Sequence, residues 1–163
     1  MGDKTLSGGL FSEEDINTTY FSRVDSDEDF GTFSLHPFTL EDQVWPTVEH
    51  YFQAMKFEDP GYQETIRLAE TPKKARKLGR RRFKRLRKDW KKVKQLYMTR
   101  AVYTKCCTHP DITTQLLATG STRLVENSLY DYYWGCGRDR RGKNLYGQVL
   151  MNVRKKLAEE QNN

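Results

Sequence analysis

Four of the five prolines in this 163-residue chain stand where a helix would begin. Proline lacks an N–H and holds φ near the helical value, so it suits a first turn and breaks an interior one. Pro46 comes with Thr47, a capping residue, and Asp59-Pro60 and Thr71-Pro72 each set a side-chain acceptor directly ahead of the ring. His109-Pro110 opens a further segment. Glycines at 79 and 120 supply stops. This punctuation predicts helices from Pro46, from 60 to about 70, from 72 to 79 and from 110 to 120. Asp89 is expected to cap a long helix with Val93, Leu96, Tyr97 and Ala101 inward. Asn144 is expected to cap a last one, with Tyr146, Val149, Leu150, Val153 and Leu157 inward. Ahead of the helices, residues 18–24, 30–34 and 37–40 read as strands, with Glu41-Asp42 as a turn. Residues 122–126 read as a further extended piece. The expected fold is mainly α, a single compact helical domain with a small N-terminal β element. Residues 1–15 are expected to be disordered, 16–158 to form the domain, and 159–163 to fray.

Hydrophobic residues make up only 36% of the chain, but aromatics contribute 12% and bury large areas each. No apolar run approaches the ~20 residues of a membrane span, and no basic-then-apolar leader is visible. Three cysteines, two of them adjacent, form neither a disulfide framework nor a zinc pattern. A reducing, cytoplasmic setting is expected. The net charge of +6 conceals an asymmetry: residues 73–94 carry +13 and the remainder −7. The basic character is local, so the overall charge says little about nucleic-acid binding.

Four segments carry possible chemistry. In residues 45–57, Val48, Tyr51, Phe52 and Met55 form one buried helical face, and Glu49, Gln53 and Lys56 a second stripe. A first-turn carboxylate is favoured in its charged form by the helix dipole. Two roles stay open for Glu49: a partner for that dipole, or a catalytic base or cation stabiliser on a rigid support. Residues 130–137 crowd Tyr130, Tyr132, Tyr133 and Trp134 around Asp131, with Gly135 and Gly137 alongside. They form either a slot for a planar ligand or core rings with Asp131 closing a turn. Residues 137–147 bring Arg138, Arg140, Arg141 and Lys143 ahead of a helix start, as an anion site or as a solvated basic loop. Within the run 73–94, Arg80 follows Gly79 and can reach a phosphate, and Trp90 is another possible stacking ring.

In this order the segments resemble the NADAR, or YbiA-like, family over about residues 20–157. The resemblance rests on Tyr20-Phe21-Ser22, on the whole run from Trp45 to Phe57, on Leu78-Gly79-Arg80 and on Asp89-Trp90. It continues through Leu124-Val125-Glu126, Asp131 with Trp134-Gly135 and Gly137, Gly142 with Asn144 and Gly147, and Leu150-Met151. It departs at Ser34-Leu35-His36, where the family often has Ser-Asn-Phe, and in the loop between Gly137 and Gly142. The resemblance implies an N-glycosidase that cuts a ribose C1′–nitrogen bond without metal or redox cofactor. The implied substrates are phosphoribosylamino-pyrimidines of riboflavin synthesis or, alternatively, ADP-ribosylated guanine, where nucleic acid enters only as ADP-ribosylated substrate. On this view Glu49 and Asp131 are catalytic and Trp90 and Trp134 stack the base. Lys56 and Asn144 bind ribose or phosphate, and Arg80, Arg138 and Arg141 bind phosphate. A module that binds nucleotides, ADP-ribose or nucleic acid without chemistry is the reading from another class.

Overall fold

The computed structural model describes residues 17–163, so the expected disorder of residues 1–15 lies outside the described residues. In chain order come β1 (Thr18–Phe21), β2 (Phe38–Leu40), β3 (Gln43–Trp45), α1 (Val48–Ala54), α2 (Pro60–Arg67) and α3 (Pro72–Gly79). There follow α4 (Trp90–Thr108), α5 (Pro110–Ala118), β4 (Arg123–Glu126) and α6 (Leu145–Gln161). The fold is mainly α with a small β part, as expected.

The caps explain the helix starts. Thr47 accepts from the His50 N–H, Asp59 from Gly61 and Tyr62, and Thr71 from Lys74. Pro46 therefore precedes the cap of α1 instead of sitting in its first turn. Asp89 and Asn144 hold cap positions but make no side-chain cap bond. Asp89 pairs instead with Arg87. Asn144 has a left-handed backbone, φ 50°, and turns its amide toward β4. α2 stops at Arg67, before the expected end at 70, while α6 continues to Gln161 past the expected fraying point. Leu96 is exposed on α4, where the buried set is Trp90, Met98, Ala101, Val102, Lys105 and Cys106.

β1 ends at Phe21 and pairs in parallel with β4, Thr18 with Arg123 through Phe21 with Glu126. β2 and β3 form a hairpin whose two turn residues, Glu41 and Asp42, have φ of 56° and 59°. Two consecutive positive φ values match a tight hairpin turn. Residues 30–34 are not a strand. They form bends whose backbone bonds run to Arg23 and to Glu49.

α1 lies at the centre, packed against α2, α3, α4 and β3. All seven of its residues are buried, the polar Glu49, His50 and Gln53 included. α6 closes the other side against α4, α5 and β4, with the expected stripe from Tyr146 to Leu157 inward. Its contact with β4 is too close for any side chain at Gly147. A Cβ there would lie 2.2 Å from the Leu124 carbonyl oxygen. Gly147→Ala is expected to lower the unfolding free energy by about 1–3 kcal/mol, the usual cost of overpacking, read by chemical denaturation.

Candidate functional site

Glu49 is wholly buried, and four donors approach its carboxylate. Arg76 on α3 grips it with a fork, Nε to Oε1 at 2.8 Å and Nη2 to Oε2 at 3.0 Å. Gln53, one turn along α1, donates to Oε1 at 2.7 Å, and Thr32 Oγ1 donates to Oε2 at 2.7 Å. Burial alone would push this carboxyl up. The hydrogen bonds and charge of Arg76, with the Gln53 amide and the charge of Arg23, bring it down to about 2. Glu49 is thus ionised at any working pH, and a carboxylate so acidic and so fully engaged is a poor proton acceptor.

The neighbours are cationic. Lys56 follows α1 and lies 5.7 Å from the Phe52 ring centroid. Its Nζ makes one long bond, 3.4 Å, to the Gly79 carbonyl. Burial draws its pKa down to about 8. Glu49 pulls it back up, and Arg80, Arg76 and Lys94 push it further down. α3 comes close enough to α1 because residue 79 is glycine. A Cβ there would meet the Gln53 side-chain oxygen at 2.0 Å.

Beside this cluster opens a cleft of about 610 Å³, lined by Arg23, Val24, Arg76, Arg80 and residues 128–132. One wall is cationic. The other carries Leu129, Tyr130 and Tyr132, all exposed, with Tyr130 at 82%. Arg23 is 6% exposed, and its Nε has no hydrogen-bond partner among the described residues. A second groove, about 750 Å³, runs along α3 between Thr71 and Arg81 and shares Arg76 and Arg80 with the cleft.

The structure separates the expected site residues. Glu49, Lys56 and Arg80 come together. Asp131 lines the cleft, but its carboxylate is committed: Oδ1 accepts from the Tyr133 and Trp134 N–H groups at 3.0 and 2.8 Å, and Oδ2 from Arg23 Nη2 at 2.6 Å. Trp90 and Trp134 flank Phe52 at 5.0 and 5.5 Å between ring centroids and are each 8% exposed, which leaves little surface for a base to stack on. Asn144 is buried with both amide atoms on β4, Oδ1 accepting from the Glu126 N–H and Nδ2 donating to the Leu124 carbonyl. Buried in this way, it clips α6 to β4 and does not line the cleft. Arg138 donates to the Tyr130 hydroxyl at 3.1 Å and sits over that ring. Arg141 is solvent-exposed beside Asp139 and does not line the cleft.

Arg23, Arg76, Thr32 and Gln53 were missed as site residues. Gln53 had a local signal, four residues from Glu49 on one helical stripe. Arg76 was hidden among 14 basic residues. Arg23 and Thr32 have no signal in sequence, since their partners lie 108 and 17 residues away.

A buried carboxylate held by a guanidinium thus lies beside a cation-walled cleft, on a small α domain with a parallel β1–β4 pair. The NADAR domain profile matches residues 10–158, and the chain belongs to the NADAR family. It is 42% identical over 147 residues to N-glycosidase YbiA of Escherichia coli, covering 90% of this chain and 92% of that protein. The NMR structure of E. coli YbiA superposes with a TM-score of 0.81, covering 89% of this chain and 88% of that one. Also similar are N-glycosidase Npun_R5314 of Nostoc punctiforme, 45% identical over 78% of this chain and 84% of its own, and riboflavin biosynthesis protein VVA0006 of Vibrio vulnificus. The latter is 38% identical over 86% of this chain and 38% of its own.

Because Arg76 supplies the bidentate contact to a buried charge, Arg76→Ala should reduce stability by about 3–5 kcal/mol by stranding the carboxylate. Denaturant titration reads the loss, and Glu49 should titrate at a higher pH in a carboxyl NMR experiment.

Proposed function

We propose that this chain hydrolyses the bond between ribose C1′ and nitrogen in phosphoribosylamino-pyrimidines of riboflavin biosynthesis. It is a hydrolase acting on N-glycosyl bonds, as its NADAR relatives are named. The observation that carries the mechanism is the fixed negative charge of Glu49 near enough to favour the protonated form of the Lys56 amine, beside a cationic cleft. In the reaction the C1′–N bond breaks, water adds its oxygen to C1′ and releases one proton, and the leaving nitrogen takes a proton from Lys56, whose amine the water's proton restores. The products are ribose 5-phosphate and the free aminopyrimidine.

Positive charge builds on the ribose ring as the bond lengthens. Glu49 stabilises it by charge and does not serve as proton acceptor, since its pKa is near 2. Arg76 is the partner of Glu49 that also lines the cleft. A substrate phosphate competes for that guanidinium and brings the ribose toward the carboxylate. Arg80 and the unmatched Nε of Arg23 hold the same phosphate. Lys56, ammonium below about pH 8, gives the proton to the leaving nitrogen. Asp131 positions Arg23 and the turn leading to Trp134. Tyr130 and Tyr132 offer the planar base an exposed wall.

A second reading is removal of ADP-ribose from guanine. The groove along α3 supports it, because it continues from Arg76 and Arg80 and has room for a second phosphate. Incubation with phosphoribosylamino-pyrimidine, ADP-ribosylated guanosine and NAD separates the two. Ribose 5-phosphate from the first is the expected product. ADP-ribose from the second alone selects the second reading, and no product from any compound selects a binding module.

Glu49→Gln should lower kcat by about 10²–10³-fold with circular dichroism unchanged; full activity would remove Glu49 from the mechanism. The ammonium form of Lys56 exists below its pKa, so kcat should fall as pH rises through about 8. Lys56→Met should be slow with no such limb, and a limb that persists in the variant assigns it to another group.

A further inference from the structure

Among the described residues the one buried lysine outside the site is Lys105, in the last turn of α4 and 3% exposed. Its ammonium donates to the Asp29 carbonyl at 2.5 Å, the Gly31 carbonyl at 3.0 Å and Ser34 Oγ at 2.6 Å. Three donors thus meet three neutral oxygens, all on the bend 29–34. Burying an ammonium is costly unless it is paired; burial draws this one down to about 8, while Cys106 and the carboxylates of Asp29 and Glu28 pull it partly back up.

The other side of the same bend faces Glu49. Thr32 lies between the residues that Lys105 grips. Its hydroxyl donates to Glu49 Oε2 at 2.7 Å, and its carbonyl accepts the Glu49 N–H at 3.0 Å. Phe33 lies under the Arg76 guanidinium, 4.6 Å from it. The bend has no regular ladder to stiffen it, and Gly31 is wedged against the carbonyls of Ser22, Arg23 and Glu28, where a Cβ would lie 2.9–3.2 Å from them. Tyr146 adds one bond, to the Phe30 carbonyl at 2.6 Å.

We infer that Lys105 is a positioning residue for the N-glycosidase reaction: it clamps the 29–34 bend so that Thr32 and Phe33 hold the Glu49–Arg76 pair in register with the cleft. The kinetic arm of its test rests on the proposed activity, and the spectroscopic arm does not.

The experiment compares Lys105→Met, Ser34→Ala, Thr32→Val and the Lys105→Met/Thr32→Val double variant with the parent chain. Folded fraction is taken from circular dichroism, and kcat and KM are expressed per folded molecule. Misplacing a reacting group by about 1 Å costs up to about 10²-fold, so Lys105→Met should lose tens-fold in kcat with KM little changed. Ser34→Ala, which keeps the lysine, should lose less. The double variant should lose less than the two single losses combined, because part of what Lys105 does passes through Thr32. Without substrate, carboxyl NMR should find Glu49 of the parent ionised down to about pH 4, and should find it taking up protons there in Lys105→Met and Ser34→Ala. Unchanged kcat per folded molecule, additive losses in the double variant, or an unchanged Glu49 titration each overturns the inference. If Lys105→Met does not fold, Ser34→Ala decides by the same readings.

Discussion

A single buried ion pair, Glu49 with Arg76, ties this molecule together. It joins α1 to α3 across a contact that would otherwise need only apolar packing. A buried pair is weak evidence for stability, because desolvation offsets much of the attraction. What it fixes here is placement. The polar partners of the carboxylate come from α1, from α3 and from the 29–34 bend, so three separate parts of the chain converge on one anion. Gly79 permits the close approach, and Lys56 feels the resulting field.

That field divides the labour between groups of opposite sign. A carboxylate held near 2 is a charge and not a base, while an amine held near 8 exchanges protons under ordinary conditions. One environment moves both groups below their ordinary values, by hydrogen bonding in the first and burial in the second. Seven residues apart in sequence, the two give the proposed mechanism a permanent counter-charge and a proton source.

Much of the fold was legible in sequence because its signals are local. Thr47, Asp59 and Thr71 cap helices a few residues from where they stand, and the stripes of α1 and α6 are read from spacing alone. The failures have physical reasons. Residues 30–34 have a strand's composition, but their backbone bonds go to Arg23 and Glu49 instead of to a neighbouring strand. Asn144 has a cap's identity, but its left-handed backbone turns the amide away from the helix. In the site, Glu49 and Lys56 announced themselves by position on a stripe. Trp90 and Trp134 could be read as ligand platforms or as core, and only packing against Phe52 decides between these. Arg76 was one charge in a long run until its partner was known.

The parallel pairing of β1 with β4 has a consequence for synthesis. β1 leaves the ribosome first of the described elements, and its partner strand follows roughly a hundred residues later. Arg23, just beyond β1, waits as long for Asp131. The far wall of the cleft, residues 128–132, therefore cannot be in place until about four-fifths of the chain has been made, and the two walls that would hold a ligand come from opposite ends of the synthesis.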